Sequence, residues 1–142
     1  MNLDFSKIRA LVIGDLMIDH YIFGTSERIS PEAQVPVVLP QREFSIAGGA
    51  GNVANNLSEL GARVTCVGTV GDDAWGEKLI SIFNNQNINT KKIEKIKNHT
   101  TTIKKRIYSD GKQVARIDNE KFLSKWVPKN NIEYEDYDII IL

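Results

Sequence analysis

The stretch "SIAGGAGNVANN", Ser45–Asn56, holds three glycines, three alanines and three asparagines, and no charge. Glycine has no Cβ, so another group can approach its backbone closely. A glycine turn ahead of a helix presents unpaired N–H groups and the positive end of the helix dipole. Asn52 adds an amide that both donates and accepts. Neutral donors and acceptors suit a polyhydroxylated ligand better than a phosphate alone. Tight packing of a strand on a helix is the competing use, and the glycines by themselves fit both.

The flanking sequence has the grammar of a parallel α/β sheet. Upstream, "RALVIGD" (Arg9–Asp15) is an apolar run closing in Gly-Asp, the pattern of a buried parallel strand whose carboxyl end opens toward a site. Downstream, a helix from about Asn52 to Leu60 puts Val53, Leu57 and Leu60 on one face, and Gly61 stops it. "RVTCVGTVG" reads as a second buried strand, and Asp72 or Asp73 caps a second helix with Trp75, Leu79, Ile82 and Phe83 inward. This is strand, helix, strand, helix.

Other segments read as a smaller β unit. "HYIFG" and "VPVVLPQREF" are β-rich, and Pro36 and Pro40 mark edge or lid strands. "TSERISPEAQ" between them is a polar loop. "TTTIKKRIYSDGKQVARID" is a hairpin around Asp110-Gly111. "NNQNINTKKIEKIKN" suits a loop and a short edge strand, "KFLSKWVPKNNI" a short helix broken at Pro128, and "YDIIIL" another buried strand, inside which the chain stops.

Composition narrows the function classes. The chain has 142 residues, 42% hydrophobic and 25% charged, which fits one globular domain. A formal net charge of zero gives no electrostatic reason for a nucleic-acid or anionic-membrane partner. Cys66 is the only cysteine, so no internal disulfide forms, and with His20 and His99 it makes no metal cluster. Cys66 reads as an inert core residue, the two histidines as structural, and Trp75 as core. The N-terminus lacks a signal-peptide pattern and the apolar runs are too short to span a bilayer, so a reducing cytoplasm is expected.

Two motif readings compete with sugar binding. Gly49, Gly51 and Ala54 spell G-x-G-x-x-A, with Asp72 about 20 residues on, as in dinucleotide sites. That fingerprint belongs directly after the first strand, a place "ALVIGD" already holds. "GAGN" matches a phosphate-cradling Gly-Ala-Gly-Asp loop except that Asn52 cannot remove a proton.

"GGAGNVANNLSELGARVTCVGTVG", Gly48–Gly71, resembles the N-terminal signature of the ribokinase-like (PfkB-type) carbohydrate kinases, and "GDDAWG" continues it. "VIGDLMID" is similar to that family's first strand and sugar-binding turn. "RISPEAQVPVV" and "TTIKKRIYSDGKQVARID" resemble the group that acts on D-glycero-β-D-manno-heptose 7-phosphate, often fused to an adenylyltransferase. The resemblance covers nearly the whole chain. It implies a mostly parallel sheet with flanking helices and a small β-sheet lid, the lid drawn from about 19–46 and 99–118 of a single unit spanning 1–142.

The resemblance also implies roles. Asp19 would bond sugar hydroxyls, its alternative being a turn or helix cap. Gly49 would let the sugar lie against the backbone and Asn52 would bond a hydroxyl, while Gly48 would serve the turn. Asp15 fits a structural or a binding role equally. Lys104 and Arg106 share one strand face and would bind a substrate phosphate, the alternative for them and for Arg116 being a solvated lid surface. Thr101 and Thr102 read as plain strand residues. Lid strands could pair two subunits into a homodimer. The family's catalytic Asp, on a Gly-Ala-Gly-Asp loop, and its ATP and Mg2+ sites lie C-terminal to the matched motifs, so they are expected beyond residue 142. The chain is then expected to be a sugar-binding half cut within the sheet, inactive on its own. The rival reading is a half-protein that only binds sugar or pairs through its lid, or a kinase for another sugar.

Overall fold

A computed structural model describes residues 4–123, 126–129 and 131–142. Four parallel strands make the first sheet, in the order β5-β4-β1-β8. They are β1 (Arg9–Ile13), β4 (Arg63–Gly71), β5 (Asn89–Ile96) and β8 (Ile139–Ile141). Helices α1 (Ala50–Glu59) and α2 (Ala74–Asn85) make the crossovers into β4 and β5. The second sheet has the order β3-β2-β6-β7, from β2 (Leu16–Thr25), β3 (Leu39–Gly49), β6 (Thr102–Ser109) and β7 (Lys112–Asn119).

One core serves both sheets. Alternate residues of β1 and β4 (Ala10, Val12, Val64, Cys66) face the helices, where Ala54, Leu79 and Phe83 are buried. Ile18, Ala47 and Ile103 from the inner face of the second sheet join the same cluster. The other face of β1 and β4 presents Leu11 and Val67, covered by Trp126, Ile132 and Tyr137. Burial pushes the Cys66 thiol up to about 12, which leaves it protonated and inert as expected.

Most local expectations hold. The strands over "RALVI" and "RVTCVGTVG", the cap at Asp73 and the α2 face are as read. The hairpin turns on Asp110 (φ 51°) and Gly111 (φ 78°), both in the left-handed region an Asp-Gly turn requires. Gly61 ends α1 at φ 97°. Four readings need correction. "HYIFG", read as an edge or lid strand, is not at an edge: β2 lies inside the second sheet, antiparallel to β3 and parallel to β6. Pro40 stands on β3, which is the edge, beside a bulge at Phe23/Gly24. Leu60 is exposed, because α1 ends at Glu59 and packs through Gly51, Ala54, Val53 and Leu57 instead. β8 is not buried: Ile139 and Ile140 are 39% and 42% exposed. In "KFLSKWVPKNNI" the described residues carry no helix, and 124, 125 and 130 lie outside the described residues.

His20 ties the second sheet to α2. It is 5% exposed, bonds Ser45 Oγ through Nδ1 at 2.9 Å, and meets the Trp75 ring edge-on at 5.3 Å. Burial, with Lys78 and Lys105 nearby, holds its pKa below the ordinary 6.5 against the pull of Glu43. The unfolded chain therefore binds a proton more readily, and stability must fall as pH drops from about 6.5 toward the lowered folded value. Thermal melts between pH 7.5 and 5 should show this loss, and His20→Gln should flatten it; an unchanged slope in the variant removes His20 as the cause.

Candidate functional site

The first sheet has a switch in strand order at β1. From β1 the chain moves to β4 and β5 on one side, then returns to β8 on the other. In open α/β sheets the crevice outside the carboxyl ends of the strands at such a point is where ligands bind. A cavity of about 610 Å³ lies there. Gly14 and Asp15 after β1, Thr69 of β4 and Met17 of β2 form one side; His99, Thr101, Lys104, Glu120 and Trp126 are among those lining the rest.

The glycine turn sits beside this cavity. β3 runs directly into α1, with Gly49 as the last strand residue and the helix N-cap. Its φ of 59° and ψ of −134° suit glycine alone, and a Cβ there would lie 2.6 Å from the Asp15 carbonyl oxygen. The Ala50 N–H donates to that carbonyl at 3.0 Å, so one first-turn donor is already used. Gly48 is not in the turn; it is a buried residue of β3 opposite Met17.

Asp19 follows Met17 on the same face of β2, in register with Lys104. Arg106 Nη1 donates to Asp19 Oδ1, and the Arg106 guanidinium lies 5.4 Å over the Tyr21 ring. The hydrogen bond to Asp19 holds the Arg106 pKa above its ordinary value. Lys104 pairs with Glu120 at 3.2 Å. Arg116 is exposed and pairs with Asp118 at 2.9 Å. Of the residues singled out from sequence, the structure puts Asp15 and Lys104 in the cavity wall and Asp19, Gly48 and Gly49 next to Met17 at its edge. Asn52 is exposed on the first turn of α1 and does not line the cavity.

Thr101 is more than the plain strand residue expected from sequence. It is 1% exposed, donates its N–H to Asp73 Oδ2 at 2.9 Å and its hydroxyl to Asp73 Oδ1 at 2.7 Å. The same hydroxyl oxygen accepts from the Gly71 N–H at 2.9 Å. Asp73 also caps α2, accepting from the Gly76 N–H at 2.8 Å. Burial acts to raise the Asp73 pKa, but these donors outweigh it and hold the carboxyl below the usual range. Local sequence signalled the cap; nothing local signalled the partner 28 residues on. His99 and Trp126, unremarked as cavity residues from sequence, each have a ring nitrogen (Nδ1, Nε1) buried without a partner among the described residues.

Among the described residues no helix is long and apolar enough to cross a membrane, and no group of three or more His, Cys, Asp or Glu stands together. Replacing Thr101 with Val leaves the Gly71 N–H without that acceptor and the Asp73 carboxylate short of a donor. The expected loss is about 1–3 kcal/mol in denaturant unfolding; a loss below measurement error would show that the knot does not stabilise the junction.

Comparison with known proteins agrees with the geometry. Residues 7–140 match the model of the pfkB family of carbohydrate kinases. A bifunctional protein HldE from Helicobacter pylori (strain Shi470) is 50% identical over 78% of this chain and 24% of its own length. The HldE of Pelobacter propionicus is 42% identical over 97% of this chain and 30% of its own. The chain thus spans about a quarter to a third of these relatives. A carbohydrate kinase from Agrobacterium tumefaciens superposes with a TM-score of 0.62 at 24% identity, covering 79% of this chain and 35% of that one. An Arabidopsis thaliana ribokinase complexed with ribose and ATP gives 0.61 at 20% identity, covering 79% and 36%. The parallel sheet with its helices and second sheet is the ribokinase-like fold, and the chain belongs to the pfkB family of carbohydrate kinases.

Proposed function

We propose that this chain forms the sugar-binding part of a cytoplasmic kinase that phosphorylates D-glycero-β-D-manno-heptose 7-phosphate on its anomeric hydroxyl. The observation that carries the reading is the cavity at the strand-order switch, flanked by Gly48 and Gly49 at the end of β3 and by Asp19 on the adjoining strand. Here the substrate hydroxyls donate to the remaining lone pairs of the Asp19 carboxylate, and the sugar lies against Gly49, where no Cβ intrudes. The heptose 7-phosphate rests on the likeness of "RISPEAQVPVV" and of the β6–β7 segment to that group of kinases, and on the HldE relatives. Lys104 and Lys121, both lining the cavity, supply positive charge for the phosphate.

ATP is the phosphoryl donor in this reading, with Mg2+ neutralising charge on its phosphates. No described cluster of carboxylates in this chain fits a resident metal. We assign the metal, the nucleotide and the base that takes the hydroxyl proton to a further segment of the kinase. The product fits the route to ADP-heptose for lipopolysaccharide. The second sheet also suits pairing with a second copy. Its outward face stacks Phe23 on Tyr108 at 4.8 Å and Tyr21 on Phe44 at 5.1 Å, and β3 and β7 are edges. A monomer mass by sedimentation would remove the dimer.

The kinase carrying this chain should convert heptose 7-phosphate and MgATP to the 1,7-bisphosphate, with Asp19→Ala raising KM by about 10-fold or more. Preference for ribose or fructose over heptose 7-phosphate would overturn the substrate while leaving the family intact.

A further inference from the structure

We propose that Arg106 and Gly48 are positioning residues that together hold the Asp19 carboxylate in its sugar-binding orientation, and that Arg106 is not itself a phosphate ligand. The inference rests on the sugar-binding reading of Asp19 and adds two residues to it.

Arg106 is fixed on two sides. On β6 it stands opposite Tyr21, one step along the face from the Asp19–Lys104 pair. From there its Nη1 reaches Asp19 Oδ1 while the guanidinium plane lies over the Tyr21 ring. Both partners of the ion pair are about four-fifths covered, with side-chain exposures of 22% and 19%. A phosphate arriving at Arg106 would have to displace this carboxylate or share the guanidinium with it, anion beside anion. Lys104, in contrast, lines the cavity. The cationic face expected on β6 therefore divides: Lys104 faces the ligand space, and Arg106 serves Asp19.

Gly48 supplies the other half of the clamp. A Cβ on Gly48 would stand 2.7 Å from Asp19 Oδ2 and 3.0 Å from both Asp19 Cγ and Met17 Cγ. The carboxylate fills the space that every other residue type would need. One oxygen is thus drawn to Arg106 and the other lies against a bare Cα. The obstacles around Gly48 are the side chains of Asp19 and Met17, not backbone, and its φ is not in the left-handed region. Alanine at 48 turns the Asp19 side chain away while leaving the strand in place.

The test is calorimetric Kd measurement on the kinase carrying this chain, with heptose 7-phosphate and with unphosphorylated heptose. The variants are Asp19→Asn, Arg106→Gln, Arg106→Lys, Gly48→Ala and the doubles of the last three with Asp19→Asn, each with a thermal melt. Each single variant should weaken both sugars by about 10- to 100-fold. The doubles should be no weaker than Asp19→Asn alone, because the three residues act as one unit. Gly48→Ala should melt close to wild type, and Arg106→Lys should recover part of the loss, keeping the charge without the fork. If Arg106→Gln weakens only the phosphorylated sugar and adds to Asp19→Asn, Arg106 is a phosphate ligand and the proposal is wrong. If Gly48→Ala binds both sugars like wild type, Gly48 has no part in the clamp. If the wild-type kinase binds neither sugar, the sugar-binding reading itself fails and this inference goes with it.

Discussion

The second sheet passes into the helix layer without a loop, at Gly49. There the chain leaves β3 and enters α1 in a single residue, at a φ of 59° that a side chain would oppose. The Asp15 carbonyl closes the junction by accepting from Ala50 and leaves no room for a Cβ at Gly49. The end of β1, the start of α1 and the last residues of β3 are therefore locked side by side. This contact holds the end of β3 beside Asp15, which lines the cavity.

A second junction, between Asp73 and Thr101, sets the same geometry from the far side. Asp73 begins α2 and Thr101 precedes β6, so their hydrogen bonds bind the helix layer to the strand that carries Lys104 and Arg106. With Gly49 and Thr101 fixed, β2 lies between β3 and β6, and the sheet face bearing Asp19 has one orientation relative to the crevice. The polar groups there occur as pairs: Asp19 with Arg106, and Lys104 with Glu120. Such pairing keeps part-buried charges satisfied before a ligand arrives. The two pairs differ in consequence, since Arg106 orients a carboxylate whereas Glu120 occupies a cation that the ligand space adjoins.

What could be read from the sequence was what local pattern encodes. Continuous apolar runs gave away β1 and β4, the Asp110-Gly111 dipeptide marked its hairpin, and Asp73 announced a cap. The order of strands was out of reach. β2 pairs with β6 across some 85 positions of chain, and no periodicity carries that information. Hence "HYIFG" reads as an edge or lid strand and stands in the interior of the second sheet. The same limit hid Thr101's tie to Asp73 and Arg106's to Asp19, contacts 28 and 87 residues apart. Gly48 illustrates a subtler failure. Its neighbour Gly49 needs glycine for backbone conformation, which a glycine-rich turn suggests, whereas Gly48 needs it for a side chain that arrives from another strand.

The crevice at the β1 switch, with Asp19 and the two glycines at its edge, is the place proposed for the sugar. The most direct test is a crystal structure of the kinase carrying this chain with heptose 7-phosphate bound. The expected result is the sugar ring against Gly49, a ring hydroxyl within hydrogen-bond distance of Asp19, and Arg106 still on the Asp19 carboxylate. A sugar bound at the opposite end of the sheet, in the second cavity beside Arg63 and Asn89, with Asp19 untouched, would contradict it.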